Sequence, residues 1–340
     1  MGIIDFSLEE NVFIIAELSA NHNGSLETAI ETIRAAKRAG ADAIKLQTYT
    51  ADTLTIDSKK NDFIINNGSI WDGKNFYELY QEAYTPWEWH ARLFEVAKEE
   101  DLVCFSSPFD KTAVDFLEAL DVPCYKIASF EITDIPLIEY IASKGKPIIL
   151  STGIATLEDI ELALKTIRTV GDNEIVLLKC TSSYPSPLEE ANLSMIQEFK
   201  KRFGVTPGLS DHTLGSTAAV VATCFGAKII EKHFILDRSI GGPDASFSLD
   251  EKEFTQMVKE IRDAEKTIGK VTYELTEKQK AGKAFSRSLY VVQDIKKGEK
   301  FTEKNIRSIR PGFGLHPKYL KELLGKTSKK TFKKGDRLIK

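Results

Sequence analysis

Short apolar runs alternate with amphipathic segments along the chain as far as about Gly269. The apolar runs predict eight strands, and the segments between them carry apolar residues at helical spacing. The predicted strands are Val12–Ala16, Ala43–Gln47, Leu102–Ser106, Cys124–Ala128, Pro147–Ser151, Ile175–Lys179, Val205–Leu209 and Lys228–Glu231. The clearest predicted helices are Leu26–Ala39, Trp87–Glu100, Lys111–Leu120, Leu157–Val170, Ser216–Phe225 and Asp250–Ile268. This alternation predicts an α/β fold, a (β/α)8 (TIM) barrel, with a doubly wound open sheet as the alternative.

Two regions depart from the alternating pattern. The connection from Thr48 to Pro86 is too long for an ordinary barrel loop and contains the polar and aromatic cluster Trp71–Asn75. Loops of this length are usually lids or binding loops, and a surface excursion with its own small core is the alternative. Beyond the barrel, turns at Asp294–Glu299 and Lys333–Asp336 punctuate short strand-like runs. We therefore expect a barrel domain over 1–270, a linker over 271–285 and a small β-rich domain over 286–340.

Composition narrows the protein class. The chain has 340 residues, 42% hydrophobic and 28% charged, which is typical of a soluble globular protein. Its apolar runs are too short to cross a bilayer and no signal sequence is recognisable, so a cytoplasmic protein without membrane association is expected. The four cysteines lie in or beside apolar segments without C-x-x-C spacing, which favours buried thiols over disulfides or a zinc cluster.

The charge is unevenly distributed. The chain has a formal net charge of −4, yet the segment from Ser286 onward has 16 Lys and Arg against 5 Asp and Glu. Basic segments often bind nucleic acid, but this one is interspersed with apolar residues and Gly turns and is expected to fold. Its charge can instead complement an anionic substrate or the acidic barrel, so no nucleic-acid partner is expected.

Polar residues follow the predicted strands, at the end of a barrel where active sites form. Lys45, Lys126 and Lys179 each follow apolar residues, and small hydroxyl residues stand beside them. Lysines and hydroxyls near helix N-termini commonly bind phosphate, so these residues predict a phosphate-bearing, anionic substrate. Each lysine alone could be a structural ion-pair partner. A Schiff-base aldolase, which needs a desolvated lysine, is the competing enzyme class.

Two histidines and two glutamates end strands as well. His212 and His233 follow neighbouring strands of the predicted barrel, where two imidazoles can bind one divalent ion. A pair of hydrogen-bonded core histidines is the alternative, because their spacing is not a metal motif by itself. Glu17 and Glu131 could transfer protons or hold sugar hydroxyls, or could be ion-pair partners.

Several segments together resemble the sialic acid synthase family, which uses phosphoenolpyruvate. They occur in that family's order and span nearly the whole chain, and the region Ser288–Leu338 resembles its C-terminal antifreeze-like (SAF) domain. The segments are Ile15–Gly24 (IAELSANHNG), Tyr125–Ser129 (YKIAS), Ile149–Gly153 (ILSTG), Gly208–Thr213 (GLSDHT) and Glu231–Phe234 (EKHF).

The resemblance implies a metal-dependent transferase reaction that forms a carbon–carbon bond. C3 of phosphoenolpyruvate attacks the aldehyde of an open-chain amino sugar, water adds at C2, and phosphate leaves with C–O cleavage. His212 and His233 would hold the metal, manganese or magnesium, and Glu17 and Glu131 would share in catalysis, with Glu131 handling the proton. The substrate-binding residues implied are Lys45, Ser107, Lys126, Ser129, Ser151, Ser182, Tyr184, Ser210, Asp244 and Arg310.

Departures from the N-acetylneuraminic acid makers indicate the sugar. Those members have Gly-Ser-Gly-Glu where this chain has Ala128–Glu131, and Thr-Asn where it has Thr181–Ser183 before Tyr184-Pro185. Phe130 adds apolar bulk that suits a 6-deoxy sugar. With Trp71–Asn75 and Thr85–His90, these features resemble members that convert 2,4-diacetamido-2,4,6-trideoxy-L-altrose to pseudaminic acid. Synthesis of legionaminic or N-acetylneuraminic acid is the alternative, and a non-catalytic carbohydrate-binding protein is the alternative of another class.

The resemblance also implies a homodimer with exchanged C-terminal domains. In that family the small domain caps the barrel of the partner subunit, and Arg310 in Arg310-Pro311-Gly312 matches its arginine. The segment Thr272–Ser286 has no apolar run that would hold the small domain on its own barrel, so exchange is physically reasonable.

Overall fold

The computed structural model describes Phe6 and residues 11–339, and the chain folds as two compact units, Met1–Gly269 and Lys270–Lys340. Parallel strands of the first unit pair in chain order and close into a barrel, because the first strand also pairs with the eighth. The strands are β1 (Phe13–Glu17), β2 (Ala43–Thr48), β3 (Val103–Pro108), β4 (Tyr125–Ile127), β5 (Ile148–Ser151), β6 (Ile175–Cys180), β7 (Thr206–Asp211) and β8 (Ile229–His233). The predicted barrel is confirmed, and β7 and β8 each extend two residues beyond their predicted ends.

Helices surround the barrel, and several of them begin after a residue whose side chain caps the first turn. The helices of this unit are α1 (Leu26–Arg38), α2 (Ala51–Leu54), α3 (Phe76–Ala83), α4 (Trp87–Glu99), α5 (Lys111–Ala119), α6 (Ile135–Ala142), α7 (Leu157–Val170), α8 (Met195–Phe203), α9 (Thr217–Cys224) and α10 (Glu251–Ile268). In α7, Thr156 and Asp159 form a capping box. Ile160, Ala163 and Ile167 lie on the buried face of this helix at helical spacing.

Side chains alternate between the two faces of each barrel strand. Phe13, Phe105, Ile149 and Leu178 belong to a cluster that fills the barrel interior. Residues next to them in sequence, such as Ile14, pack outward against the helices. Because both faces are buried, the strands are apolar throughout and their inward face is not evident from the sequence.

The long connection after β2 has structure of its own. It contains α2 and α3, and Ile64 pairs with Asn75 across an antiparallel bridge. Asn75 also caps α3 by accepting a hydrogen bond from the backbone N–H of Tyr77. The exposed turn before Trp71 is held by Asp72, whose carboxylate accepts hydrogen bonds from the backbone N–H groups of residues 67–69.

The second unit is smaller and has its own core. Its elements are α11 (Glu277–Gly282), β9 (Ser288–Val291), β10 (Ile306–Ile309) and α12 (Leu320–Leu323), with β9 and β10 antiparallel. Leu289, Ile295 and Ile306 are among its fully buried residues. Gly298 and Gly335 have positive φ values of 93° and 95° in the two predicted turns, where glycine is favoured. No helix among the described residues is long and apolar enough to cross a membrane.

The cysteines are free thiols, and three of the four are buried. The prediction of a buried thiol is wrong for Cys224, which is exposed at the end of α9. That helix is apolar on every side, and Val221 is exposed as well. The sequence of α9 therefore gives no amphipathic contrast by which an outward-facing cysteine could be recognised.

Candidate active site

The inward-facing positions at the carboxyl ends of the strands carry a continuous layer of polar side chains. Because side chains alternate along each strand, these residues lie just above the apolar barrel interior. All of them are buried except Gln47, which is half-buried. They are Glu17, Lys45, Gln47, Ser107, Lys126, Ser151, Ser210, Glu231 and His233. The structure thus brings most of the predicted site residues together in one place.

Two lysines and two glutamates form a buried ion-pair network in this layer. Lys45 Nζ pairs with Glu17 and lies 3.0 Å from Glu231 Oε1, and Lys126 Nζ lies 3.7 Å from the same oxygen. Burial lowers the pKa of Lys45, although Glu231 opposes this shift. Burial alone would raise the pKa of Glu231, but the two lysines hold it below its ordinary value. The sequence places Glu231 at the end of a predicted strand, but the predicted set of site residues does not include it.

Hydroxyl groups surround Lys126 on the β4 to β6 side of the layer. Lys126 Nζ donates to Ser151 Oγ at 2.7 Å, and Ser182 Oγ donates to Ser129 Oγ at 2.9 Å. Gly153 passes so close that a Cβ atom there would lie 2.0 Å from Ser182 Oγ and 2.4 Å from Ser129 Oγ. Ser107 Oγ is buried without a hydrogen-bond partner. Cations and small hydroxyls packed this closely form a cradle suited to an oxyanion such as phosphate.

The two predicted metal ligands are neighbours. The ring centroids of His212 and His233 are 5.3 Å apart, and Phe247 packs against both rings. His212 Nδ1 lies 3.0 Å from the carbonyl oxygen of Thr181, which leaves its Nε2 as the nitrogen with a free lone pair. His233 Nδ1 is buried without a hydrogen-bond partner, and Asp244 Oδ2 lies 3.8 Å from it.

Two buried imidazoles with an unpartnered nitrogen fit a divalent ion of the kind that histidine binds. Burial lowers the pKa of His233 well below its ordinary value, and the nearby His212 and Lys45 add to the effect. A neutral ring keeps the lone pair that a metal needs. Within the described part of the chain, no group of three or more His, Cys, Asp or Glu residues could hold a metal ion. Water or substrate oxygens would therefore have to complete the coordination.

A second ion pair lies behind the histidines, on the outward faces of the same strands. Lys232 Nζ donates to Asp211 Oδ2 at 2.6 Å and also to the carbonyl oxygen of Thr213, and the side chains of Lys232 and Asp211 are almost completely buried. Asp211 precedes His212 and Lys232 precedes His233. The pair therefore ties together the two strand ends that present the imidazoles. Sequence reasoning missed it, although the alternation in β7 and β8 places both residues opposite the site.

A cavity of about 360 Å³ opens beside this polar layer. At one end it is lined by polar residues that include Ser19, Gln47, Glu131, His233 and Asp244. Burial raises the pKa of Glu131 to about 7, against the opposing effect of Lys126, and its Oε2 has no hydrogen-bond partner. Glu131 can therefore exchange a proton near neutral pH. A second carboxylate in the lining, that of Asp244, accepts a hydrogen bond from Ser19 Oγ at 2.5 Å through its Oδ2.

The long connection after β2 lines the same cavity. Trp71 Nε1 donates to the carbonyl oxygen of Pro243 at 3.2 Å, and the Trp71 ring lies 5.4 Å from the ring of Tyr184. Tyr184 in turn packs 4.5 Å from the His212 ring, centroid to centroid. Phe130 also lines the cavity and remains 55% exposed. The connection therefore forms part of the cavity wall, and its role as a lid or binding loop stays a prediction.

The predictions for Lys179 and Arg310 have different outcomes. The expectation that Lys179 joins the cations at the barrel mouth is wrong, because it faces outward on β6. Its Nζ instead donates to the carbonyl oxygen of Cys180 at 2.6 Å and to Thr181 Oγ1 at 3.1 Å. Arg310 is exposed in the second unit, next to a cis peptide bond with Pro311. Its role at a barrel mouth stays a prediction.

The chain has a closed (β/α)8 barrel with a polar mouth that contains buried lysines, followed by a small second unit. This arrangement is typical of a barrel enzyme that acts on an anionic substrate. The chain belongs to the NeuB family, whose model matches residues 32–273, and a SAF domain model matches residues 286–338. The predicted family, its small domain and its enzyme class are confirmed.

Individual relatives are similar over nearly their whole length. The pseudaminic acid synthase of Campylobacter jejuni is 52% identical over 338 residues, which cover 99% of this chain and 98% of that protein. The N,N'-diacetyllegionaminic acid synthase of Legionella pneumophila is 36% identical over 333 residues, 96% of this chain and 93% of that protein. A crystal structure of N-acetylneuraminic acid synthetase from Leptospira borgpetersenii, 32% identical, superposes with a TM-score of 0.71 and covers 80% of this chain and 90% of that chain.

Proposed function

We propose that the chain is a pseudaminic acid synthase. It condenses phosphoenolpyruvate with 2,4-diacetamido-2,4,6-trideoxy-L-altrose and water, and releases pseudaminic acid and phosphate. The observation that carries the proposal is a cavity that opens beside the layer of buried lysines and hydroxyls and has Ser129, His233 and several aromatic side chains in its wall. This combination suits a small trianionic substrate next to an amide-bearing deoxy sugar. The higher identity to the pseudaminic acid synthase than to the legionaminic acid enzyme supports the choice of sugar.

The chain's residues divide between the two substrates. For phosphoenolpyruvate, two lysines supply charge and a set of serines supplies hydrogen bonds. Glu17, Tyr184 and Asp244 hold the sugar next to it, with its aldehyde toward His212 and His233. The residues assigned to phosphoenolpyruvate are Lys45, Ser107, Lys126, Ser129, Ser151, Ser182 and Ser210. Held in this way, C3 of phosphoenolpyruvate faces the aldehyde carbon, so that orientation contributes to the rate.

The bond changes balance without a further reactant. The C3 carbon forms a bond to the aldehyde carbon, and a water oxygen adds at C2. Glu131 accepts the proton that this water loses and passes it to the former aldehyde oxygen, which becomes a hydroxyl. The C2–O bond to phosphate then breaks as the new C2 hydroxyl becomes a carbonyl, and phosphate takes up the proton of that hydroxyl. A manganese or magnesium ion held by His212 and His233 would supply Lewis acidity at the aldehyde oxygen.

Phosphate release from phosphoenolpyruvate, measured across a panel of sugars, tests the proposal. We expect turnover with the diacetamido-L-altrose at a kcat/KM well above the values for N-acetylmannosamine and the legionaminic acid precursor. Equal or faster turnover of either alternative sugar would contradict the assignment. The competing Schiff-base reaction is tested separately with pyruvate and borohydride, since only an imine would leave a reduced adduct on Lys45 or Lys126.

We further propose that the enzyme acts in the cytoplasm as a homodimer, with the small unit of one subunit covering the barrel mouth of the other. Two features support exchange: Arg310 is exposed, and Val271 and Tyr273 before α11 are 98% and 99% exposed. Arg310 would offer its planar donor group to the sugar bound by the partner subunit.

Mixing two inactive variants tests this arrangement. In a mixture of Arg310→Ala and Glu131→Ala proteins, a heterodimer with exchanged small units regains one intact site. We expect activity above that of either parent after subunit exchange, with heterodimer formation followed by differential tags. Inactive heterodimers that demonstrably form would refute a shared site.

A further inference from the structure

A second part of the cavity wall, next to the polar end, is built mostly by aromatic and aliphatic side chains. We call it the aromatic compartment, and most of it comes from the connection between β2 and α4. Its walls are Tyr49, Leu54, Ile65, Phe76, Leu79 and Tyr80. The rings of Tyr49 and Tyr80 lie 5.8 Å apart in an edge-on arrangement, and Phe76 stacks on Tyr80 at 6.0 Å. The compartment is therefore a preformed part of the fold.

Two phenol groups stand out in these walls because their hydroxyls are not engaged. Tyr49 is 4% exposed and Tyr80 is half-buried, yet neither hydroxyl forms a hydrogen bond with another described residue. Burial raises the pKa of both, so both phenols stay protonated and can donate at neutral pH. Both residues line the cavity, so each hydroxyl can donate its hydrogen bond to an oxygen of a ligand bound there.

An amide group matches this environment better than a hydroxyl or a methyl group alone. The methyl of an acetamido group would pack against the rings, and its carbonyl oxygen would accept the phenol hydrogen bonds. The sugar's aldehyde carbon must lie at the polar end, beside His233 and Glu131. The C2 acetamido group is bonded next to that carbon, whereas the C4 acetamido group lies farther along the chain. The remote group is the one that reaches the compartment.

We propose that the aromatic compartment is the subsite for the C4 acetamido group of the sugar, with Tyr49 and Tyr80 donating hydrogen bonds to its carbonyl oxygen. This inference rests on the proposed function, because it takes the diacetamido sugar as the substrate. It assigns the connection between β2 and α4 the task of distinguishing diacetamido sugars from sugars with a hydroxyl at C4.

The test couples a change in the enzyme to a change in the sugar. The kcat/KM is measured for wild type, Tyr49→Phe and Tyr80→Phe with the diacetamido sugar and with its analogue that has a hydroxyl at C4. With the diacetamido sugar we expect each variant to lose about 3- to 10-fold, the effect of one hydrogen bond. With the C4 hydroxyl analogue the loss should be at most about twofold, because the hydrogen-bond acceptor is absent.

A third variant probes the shape of the compartment, and a fourth serves as the control. Leu54→Phe adds volume in the compartment and should raise KM for the diacetamido sugar more than for the smaller analogue. Tyr140→Phe removes a hydroxyl that donates to Asp115 on the outside of the barrel, at 2.7 Å. It should change neither sugar's kcat/KM, and melting temperatures show whether each variant is folded.

The outcomes separate the subsite from the function. Equal losses on the two sugars for all three compartment variants would overturn the subsite while the proposed function stands. If wild type does not turn over the diacetamido sugar but turns over another hexosamine, the proposed function fails instead. Losses confined to the diacetamido sugar support both.

Discussion

The two ends of the cavity are built by different parts of the chain. The polar end comes from residues at the ends of β1 to β8, which hydrogen-bonded neighbours hold on both sides. The aromatic compartment comes mainly from the connection between β2 and α4, which lies outside the hydrogen-bonded strands of the barrel. Rigid strands suit groups that must keep fixed distances during bond making. A connecting segment can change in sequence without disturbing the barrel, so it suits the choice of sugar.

The largest expected effect is a loss of turnover when the polar end of the cavity is changed. His212→Ala or His233→Ala should abolish turnover, because without a bound cation the aldehyde is a poor electrophile for phosphoenolpyruvate. Treatment with a chelator should abolish phosphate release as well, and added manganese or magnesium should restore it in wild type but not in the variants. Full activity after chelation, verified by metal analysis, would contradict the metal assignment.

A smaller but still large loss is expected from Glu131→Gln, on the order of 10²- to 10⁴-fold in kcat, as is usual for a lost proton-transfer group. The carboxylate is the form that accepts a proton, and burial sets the pKa of Glu131 at about 7. Activity in wild type should therefore rise as the pH increases through about 7. The Gln variant should lack this rise. A profile that falls over the same range would identify Glu131 as an acid instead of a base.

The cradle for phosphoenolpyruvate depends on the absence of a side chain at residue 153. Gly153→Ala would push a methyl group into Ser129 and Ser182, and we expect kcat/KM for phosphoenolpyruvate to fall about 100-fold, mainly through KM. Gly282→Ala is a matched control, since a Cβ there meets no atom within 4 Å and its φ is an ordinary −61°. If the variant keeps a normal KM for phosphoenolpyruvate and an intact fold, phosphoenolpyruvate does not bind at Ser129 and Ser182.

The sequence predicts the polar end far better than the aromatic compartment, for physical reasons. His212 and His233 could be placed together because consecutive strands of a parallel barrel are neighbours. Lys179 was misplaced because β6 is apolar on both faces, so its sequence does not show which residues face inward. Glu231 and Lys232 are ambiguous for the same reason. The positions of Tyr49 and Tyr80 depend on how the connection folds back over the barrel, which neither periodicity nor propensity determines.

The ion pair behind the histidines provides a more moderate test of the polar end. Asp211→Asn should lower the affinity for manganese about 10- to 100-fold, which is the usual effect of losing a residue that orients metal ligands. Calorimetric titration of manganese into the protein measures this without relying on activity. Loss of one partner should also destabilise the fold by about 3–5 kcal/mol, because the other charge stays buried.

The double variant Asp211→Leu, Lys232→Met separates the two effects. Replacing both charges with apolar groups removes the unpaired charge and should recover most of the stability. Manganese affinity should stay low, because nothing then ties the end of β7 to the end of β8. If affinity returns together with stability, the ion pair serves only the fold.

The smallest expected effect concerns Phe130, the neighbour of Glu131 in the chain. Its ring lines the cavity beside Glu131 and is 55% exposed, so a bound sugar can cover it. Contacts of this kind discriminate between substrates by about 1 to 3 kcal/mol. In Phe130→Gly we expect the preference for the diacetamido 6-deoxy sugar over N-acetylmannosamine to fall about 10-fold, with the pH profile unchanged because Glu131 is retained. The ratio of the two kcat/KM values measures the effect directly. An unchanged ratio would leave the choice of sugar to the aromatic compartment alone, since Phe130 would then contribute nothing to it.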